Sequence, residues 1–207
     1  MINKEVIKPI NYLLEKQASD LKNKLAFSDQ NEDITYKQLN FETANLANCF
    51  KEFNINTGDS IAIILPNSVD WIVSCFSILR LGCVVVPISF DSTFSEIEYK
   101  ILDASCKLII TSAKFKKQLD AFIAKQSLSI EIIYTEDIEN DGNHLKAIRT
   151  KQKNDYSIDD ENIDLPGYIL YTSGTTGQPK GVVLTSRSML WIVASCCMPI
   201  IGLNKKD

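Results

Sequence analysis

Apolar residues follow two spacings along this chain, and the two alternate from about residue 36 onward. Ser60 to Leu65 is a short, continuous apolar run, whereas Tyr36 to Phe53 repeats apolar residues every three or four positions. Short apolar runs between turn residues predict buried strands, and the longer repeat predicts an amphipathic helix. Thr35 is a suitable N-cap for that helix. Alternating strands and helices are typical of an α/β fold.

The alternation continues to about residue 134. Helices are predicted at Val69 to Leu81 (ended by Gly82), Ser95 to Leu102 and Ala113 to Ala124, and strands at Cys83 to Ile88, Lys107 to Thr111 and Ile130 to Tyr134. Phe115, Leu119 and Phe122 are expected to point inward. Helices between successive strands imply a mostly parallel sheet, and right-handed crossovers then place helices on both of its faces.

Two segments depart from this pattern. Thr135 to Asn162 is rich in Asp, Glu, Lys and Asn and has few apolar anchors, which predicts a poorly ordered surface excursion. Met189 to Leu203 is almost wholly apolar but is interrupted by Pro199, and it is shorter than the roughly 18 residues that span a bilayer. We expect a helix there that is buried on both sides, with Ser186 as the N-cap of a helix beginning near Arg187.

Composition excludes several classes of protein. The chain has 207 residues, a net charge of −4, and 22 Lys and Arg residues interspersed with 26 Asp and Glu residues. Without a basic face, a nucleic-acid partner is not expected. Met1 to Leu14 carries charges and a proline instead of the apolar core of a signal peptide, so the cytoplasm is the expected location.

The cysteines are predicted to be reduced core residues. They lie in apolar stretches without a C-x-x-C pair, and His144, the only histidine, lies in a polar segment. This arrangement disfavours a metal or redox site. The six are Cys49, Cys75, Cys83, Cys106, Cys196 and Cys197.

Tyr171 to Gly181 is the most informative segment, with hydroxyl residues, three glycines and one lysine between two apolar runs. Glycines allow close backbone approach to an anion, hydroxyl and N–H groups donate hydrogen bonds, and lysine supplies positive charge. Lys180 lies too far from Gly174, and follows Pro179, so the segment is not a Walker A loop. It predicts a strand-loop-strand hairpin, and a tight turn without any ligand is the alternative.

Thr172 to Lys180 resembles the signature loop of the adenylate-forming superfamily: AMP-forming acyl-CoA synthetases, firefly-type luciferases and adenylation domains of nonribosomal peptide synthetases. Ile34 to Leu39 is similar to the family's T-Y-x-x-L segment, and Leu79 to Ile88 to its L-x-x-G-x-x-x-x-P segment. The resemblance extends from about Asn23 to Leu203. It implies that residues 1–207 form part of a large N-terminal AMP-binding domain, whose sheet is mostly parallel and flanked by helices.

The resemblance also implies roles for the loop. Its hydroxyl and backbone donors would bind the β- and γ-phosphates of ATP, its glycines would keep the approach open, and its lysine would neutralise the departing pyrophosphate. The residues concerned are Thr172, Ser173, Gly174, Thr175, Thr176, Gly177 and Lys180. The family's Y-G-x-T-E and T-G-D segments, its hinge and its catalytic lysine domain do not occur here. We therefore expect an N-terminal fragment, inactive alone, without its own catalytic residues or metal ligands.

The implied reaction has two steps. A carboxylate attacks the α-phosphorus of Mg²⁺-bound ATP, and a thiol, usually coenzyme A, then displaces AMP from the acyl-adenylate. Val84 to Ile88 favours an acyl-CoA synthetase, with a fatty acid as the expected substrate. An amino-acid adenylation domain or a fatty acyl-AMP ligase loading a carrier protein is the alternative, although these usually show A-Y-x-P. Ser186-Arg187 departs from the His-Arg of many members, and a non-catalytic truncated product is a third interpretation.

Overall fold

The computed structural model describes residues 4–138, 144–151, 162–172 and 178–197. The strands in these ranges are β1 (Leu25–Ser28), β2 (Asp33–Thr35), β3 (Ser60–Ile64), β4 (Val84–Pro87), β5 (Leu108–Thr111), β6 (Glu131–Tyr134), β7 (Pro166–Thr172) and β8 (Lys180–Thr185). The α-helices are α1 (Ile10–Asp20), α2 (Tyr36–Glu52), α3 (Val69–Arg80), α4 (Phe94–Asp103), α5 (Lys116–Gln126), α6 (Leu145–Thr150) and α7 (Ser186–Ile192). A π-helical turn, Val193–Cys197, continues α7.

Six of these strands form one sheet in the order β6-β5-β3-β4-β7-β8. The first five are mutually parallel, and β8 runs antiparallel to β7 at one edge. The predicted α/β class and mostly parallel sheet are confirmed. A separate antiparallel pair, β1 with β2, was not predicted.

Helices cover both faces of the sheet, as predicted. Ile61 and Ile63 of β3 pack into a core with α1, α2 and α3, whereas Ala62 and Ile64 pack into a second core with α4 and α5. This separation follows from the two-residue period of a strand, in which successive side chains point to opposite faces. Each face therefore has its own hydrophobic core.

Several helix signals hold in detail. Thr35 caps α2: its hydroxyl accepts from the Gln38 amide at 3.3 Å, and the Gln38 side chain accepts from the Thr35 amide at 3.0 Å. Gly82, with a φ of 68°, follows the end of α3. On the second face, the predicted inward residues Phe115, Leu119 and Phe122 are all buried.

The N-cap predicted for α7 is wrong by one residue. Thr185, not Ser186, has the extended backbone of a cap, and its hydroxyl accepts from the Ser188 amide at 3.1 Å. Ser186 is already the first helical residue. Thr185 takes this role because it ends β8 in an extended conformation, so the strand leads directly into the cap.

The predicted surface excursion, Thr135 to Asn162, contains a docked helix. In α6, the side chains of Leu145 and Arg149 are fully buried. Arg149 pairs with Glu32, Glu42 and Asp70, which we call the arginine cluster. The prediction is wrong for this helix, which is anchored by Leu145 and by the buried charge of Arg149, and a search for apolar runs does not detect the charge. Residues 139–143 and 152–161 of the segment lie outside the described residues.

The apolar segment after β8 is less covered than predicted. Trp191, Ile192 and Val193 are 45%, 50% and 39% exposed, although Ala194 is buried. Residues 198–203 of the predicted helix lie outside the described residues. Among the described residues, no helix has the length and apolar character needed to cross a membrane.

The cysteine prediction holds for four of the six residues. Cys49, Cys75, Cys83 and Cys106 are free and buried, and desolvation raises the thiol pKa of the last three to about 12. Cys196 is exposed and Cys197 is half-buried, contrary to the prediction. The reason is the partly uncovered surface of the helix that carries them.

Candidate phosphate-binding site

The predicted hairpin is present as the antiparallel pair of β7 and β8. Its register runs from Pro166 opposite Thr185 to Thr172 opposite Lys180. Thr172 and Lys180 are both exposed and lie side by side where the two strands close toward the loop. The other predicted site residues, Ser173, Gly174, Thr175, Thr176 and Gly177, lie outside the described residues, so their roles stay predictions.

Thr172 and Lys180 lie at the edge of the sheet where the parallel strands end. β7 runs parallel to β4, with Tyr168 opposite Val85, so Thr172 lies on the carboxyl side of the sheet. A cleft of about 470 Å³ opens at the same edge, beyond the ends of β3 and β4, and is lined by Leu65, Pro66, Asn67, Trp71, Pro87, Ile88, Ser89, Phe90 and Asp91. Ligands of open α/β sheets bind at this edge.

Helix α4 contacts both strands of the hairpin. On β7, the Tyr171 hydroxyl donates to the Asp103 carboxylate at 2.7 Å. Before β8, the Tyr99 hydroxyl donates to the carbonyl oxygen of Pro179 at 3.0 Å. The rings of Tyr99 and Tyr171 meet edge to face, with their centroids 6.3 Å apart. We call these four residues the hairpin anchor.

Local electrostatics keep the Tyr171 hydroxyl in its donating form. Partial burial, followed by the hydrogen bond to Asp103, raises the tyrosine pKa well above its ordinary value of 10.0. The Lys100 ammonium lies 5.9 Å from the centre of the same ring. A tyrosine is already neutral at physiological pH at its ordinary pKa, so the shift only widens the pH range over which Tyr171 can donate to Asp103.

Gly181 lies close to Ile169 and Tyr171 on the neighbouring strand. A Cβ atom at this position would lie 3.1 Å from Ile169 Cγ2 and 3.4 Å from the ring of Tyr171. The third glycine of the motif thus has a packing role, because its missing side chain avoids a tight contact with Ile169, whereas the distance to the ring is that of ordinary van der Waals contact.

The hairpin anchor was missed in the sequence. Tyr99 and Pro179 are 80 residues apart, and Asp103 and Tyr171 are 68 apart. No local pattern joins them. The available signal was topological: α4 follows β4, and β4 is the parallel neighbour of β7.

The described part of the chain offers no group of three or more His, Cys, Asp or Glu residues that could hold a metal ion. Of the predicted site it contains one hydroxyl, that of Thr172, and the ammonium of Lys180, opposite each other on β7 and β8. Such groups donate hydrogen bonds and positive charge to anionic oxygens, so the chemistry of the site suits phosphate.

The chain belongs to the AMP-binding enzyme family, whose model matches residues 14–207. It is 30% identical over 177 residues to a dimodular nonribosomal peptide synthase of Bacillus subtilis (strain 168), covering 86% of this chain and 7% of that protein. It is 28% identical over 183 residues to gramicidin S synthase 1 of Brevibacillus brevis, covering 88% of this chain and 15% of that protein. The chain thus spans a small part of these relatives.

Solved structures support the same fold. The anthranilate CoA ligase AuaEII in complex with anthranoyl-AMP superposes with a TM-score of 0.85 at 21% identity, over 95% of this chain and 38% of that one. ATP-bound MatB from Rhodopseudomonas palustris superposes with a TM-score of 0.75 at 25% identity, over 89% of this chain and 37% of that one. The six-stranded sheet is therefore that of adenylate-forming enzymes.

Proposed function

We propose that this chain is part of an enzyme that joins a carboxylic acid to AMP. The observation that carries the proposal is the pairing of Thr172 with Lys180 at the carboxyl edge of the sheet, within the segment that resembles a phosphate loop. The ATP bound to MatB, a structural relative, supports a nucleotide as ligand. Adenylation would then consume ATP and release pyrophosphate.

In this proposal the carboxylate oxygen attacks the α-phosphorus of ATP, and pyrophosphate leaves with the electron pair of the broken P–O bond. Thr172, with the hydroxyl and amide groups of Ser173, Thr175 and Thr176, donates to the β- and γ-phosphates. Charge-assisted hydrogen bonds of this kind are worth roughly 1.5–3 kcal/mol each. Lys180 neutralises the charge that develops on pyrophosphate. Magnesium accompanies ATP, and we assign no ligand for it among the described residues.

For the second step we propose transfer of the acyl group to coenzyme A, with a fatty acid as the substrate, in the cytoplasm. Val84 to Ile88 lacks the A-Y-x-P pattern of carrier-loading relatives. A Mycobacterium tuberculosis fatty acyl CoA synthetase shares the fold, with a TM-score of 0.72. The acyl pocket and the thiol site are not assigned to residues of this chain.

Amino-acid adenylation with transfer to a carrier protein is the second candidate. The sequence relatives favour it, because the peptide synthases of Bacillus and Brevibacillus match over 86% and 88% of this chain. Both candidates share the adenylation step and differ in the acid and in the thiol that accepts it.

The test is ATP–pyrophosphate exchange with a panel of fatty and amino acids, run on the full-length protein that carries this chain. We expect exchange with one class of acid, and AMP release that depends on either coenzyme A or a carrier protein. Exchange with no acid in the panel would favour the non-catalytic alternative. The isolated 207-residue chain, assayed beside it, is expected to be inactive.

Lys180→Ala tests the phosphate site itself. We expect exchange to fall by about 100-fold, because a preorganised charge at the departing group is removed. Lys107→Ala is the matched control, since Lys107 is also exposed but lies just before β5, at the opposite edge of the sheet. Equal rates of pyrophosphate exchange in the two variants would show that Lys180 is not part of the phosphate site.

A further inference from the structure

We infer that Tyr99 and Asp103 of α4 are positioning residues for the phosphate-binding hairpin, setting the placement of Lys180 and Thr172 toward the triphosphate. The inference rests on the proposed function, because it assumes that these two residues meet ATP. The inference assigns a role to α4, which lies outside the signature segment. This helix contacts the chain on both sides of the loop, at Tyr171 and at Pro179.

Both contacts of the hairpin anchor fall on the residue directly before a predicted site residue. Pro179, whose carbonyl accepts the Tyr99 hydroxyl at 3.0 Å, is the residue directly before Lys180. Tyr171, whose hydroxyl donates to Asp103 at 2.7 Å, is the residue directly before Thr172. Each contact thus lies one residue from Thr172 or Lys180, the two residues that face each other at the loop end of the hairpin.

The first contact acts on Lys180 through the backbone. The Pro179 carbonyl belongs to the peptide group that also contains the Lys180 amide, and a peptide group is planar. Fixing the carbonyl direction therefore fixes the amide direction and restricts the Lys180 Cα. The lysine side chain itself is exposed, so its backbone is the part that the fold can position.

Helix α4 is a firm base for these contacts. Ile97 and Ile101, on its opposite side, are 0% and 1% exposed within the second core. At its first turn, Glu96 accepts the Thr93 amide at 2.9 Å. The Thr93–Glu96 bond fixes the first turn of the helix itself, and Ile97 and Ile101 hold the helix against the sheet. A shift of the loop end of the hairpin relative to α4 would therefore have to break both contacts.

The main test is Tyr99→Phe in the full-length protein, which removes the hydroxyl and keeps the ring. We expect the KM for ATP in pyrophosphate exchange to rise by up to about fivefold, a ceiling set by one net hydrogen bond, with kcat little changed and only a small fall in the thermal midpoint. Asp103→Asn should act in the same direction, because it weakens the acceptor for Tyr171. Tyr134→Phe is the matched control: its hydroxyl lies on β6, across the sheet, and has no hydrogen-bond partner among the described residues.

A second readout does not depend on activity. In the same Tyr99→Phe protein, amide hydrogen exchange in peptides spanning residues 178–185 should become faster, whereas Tyr134→Phe should leave it unchanged. An unchanged rate of amide hydrogen exchange would contradict the contact between Tyr99 and Pro179. An unchanged KM for ATP would contradict the positioning role of that contact. A fall in thermal midpoint and kcat without a change in KM overturns it as well, since that is the result of a merely structural bond.

Failure of the proposed function gives a different result. If no acid in the panel gives ATP–pyrophosphate exchange with the wild-type protein, the proposed function fails. The inference then fails with it, before any variant is compared. If wild type is active and Lys180→Ala abolishes exchange while Tyr99→Phe equals Tyr134→Phe, only the inference is wrong.

Discussion

The arginine cluster and the hairpin anchor are both polar clusters that tie distant segments together, yet they differ in burial and charge. In the arginine cluster the Arg149 side chain is 1% exposed and meets three carboxylates, with its Nε 3.0 Å from Asp70 Oδ1. In the hairpin anchor the contacts come from half-buried tyrosine hydroxyls, and the residues they support are exposed. The deeply buried charges of this molecule therefore join segments of the fold, whereas the candidate ligand site is exposed and lies elsewhere.

The electrostatics of the arginine cluster show that its buried carboxylates depend on Arg149. Desolvation raises the pKa of both Glu42 and Asp70, even though Arg149 favours their charged forms. For Arg149, desolvation is outweighed by the carboxylates, which raise the guanidinium pKa. A buried cluster of this kind is costly to break because removing one partner leaves others charged and unpaired.

The largest effect on stability is expected from Arg149→Ala. Removing the guanidinium leaves Glu42 and Asp70 buried without their cation, and the free energy of unfolding should fall by about 3–5 kcal/mol. Urea denaturation measures it. Arg187→Ala is the control, because its ion pair with Asp164 is exposed and should leave stability almost unchanged. Similar losses in the two variants would contradict the structural role of the arginine cluster.

Gly181→Val should produce an intermediate effect on the other side of the comparison. The added side chain meets Ile169 and the Tyr171 ring. Because position 181 is exposed on an edge strand, the cost should be at the lower end of the range for overpacking, about 1 kcal/mol. Because the displaced ring carries the bond to Asp103, the KM for ATP should rise together with the loss of stability. Val183→Ile, on the exposed part of β8, is the control. A KM for ATP equal to that of wild type in Gly181→Val would show that packing of the Tyr171 ring does not affect the phosphate site.

The smallest effect concerns pH. Burial raises the pKa of Glu42 above its ordinary 4.5, so the folded state holds this proton more tightly than the unfolded state does. Its contribution to stability is then fully present below about pH 4.5 and is lost as the pH rises through the folded-state pKa. The free energy of unfolding of wild type, relative to Glu42→Gln, should fall across this window. A difference that rises with pH would contradict the assignment, and Glu131→Gln, at an exposed position, is the control.

The sequence predicts the elements of the sheet well but not the clusters that join them. Strands such as β3 and helices such as α2 are local patterns, and their bounds are recovered within a residue or two. Arg149 lies 107 residues from Glu42 and 117 from Glu32, and its burial contradicts its hydropathy. The hairpin anchor likewise depends on α4 reaching a strand from a distant part of the chain. Both clusters are consequences of topology, which local periodicity does not encode.

The side chains of β3 are all buried but point alternately to the two faces of the sheet, and this has a consequence for which substitutions can compensate one another. Ile61 and Ile63 belong to the core that holds the arginine cluster, and Ala62 and Ile64 to the core beneath α4. Neighbouring positions of one strand therefore contact different sets of helices. We expect a volume change at Ile63 to be compensated by residues of α1, α2 or α3, and one at Ile64 by residues of α4 or α5.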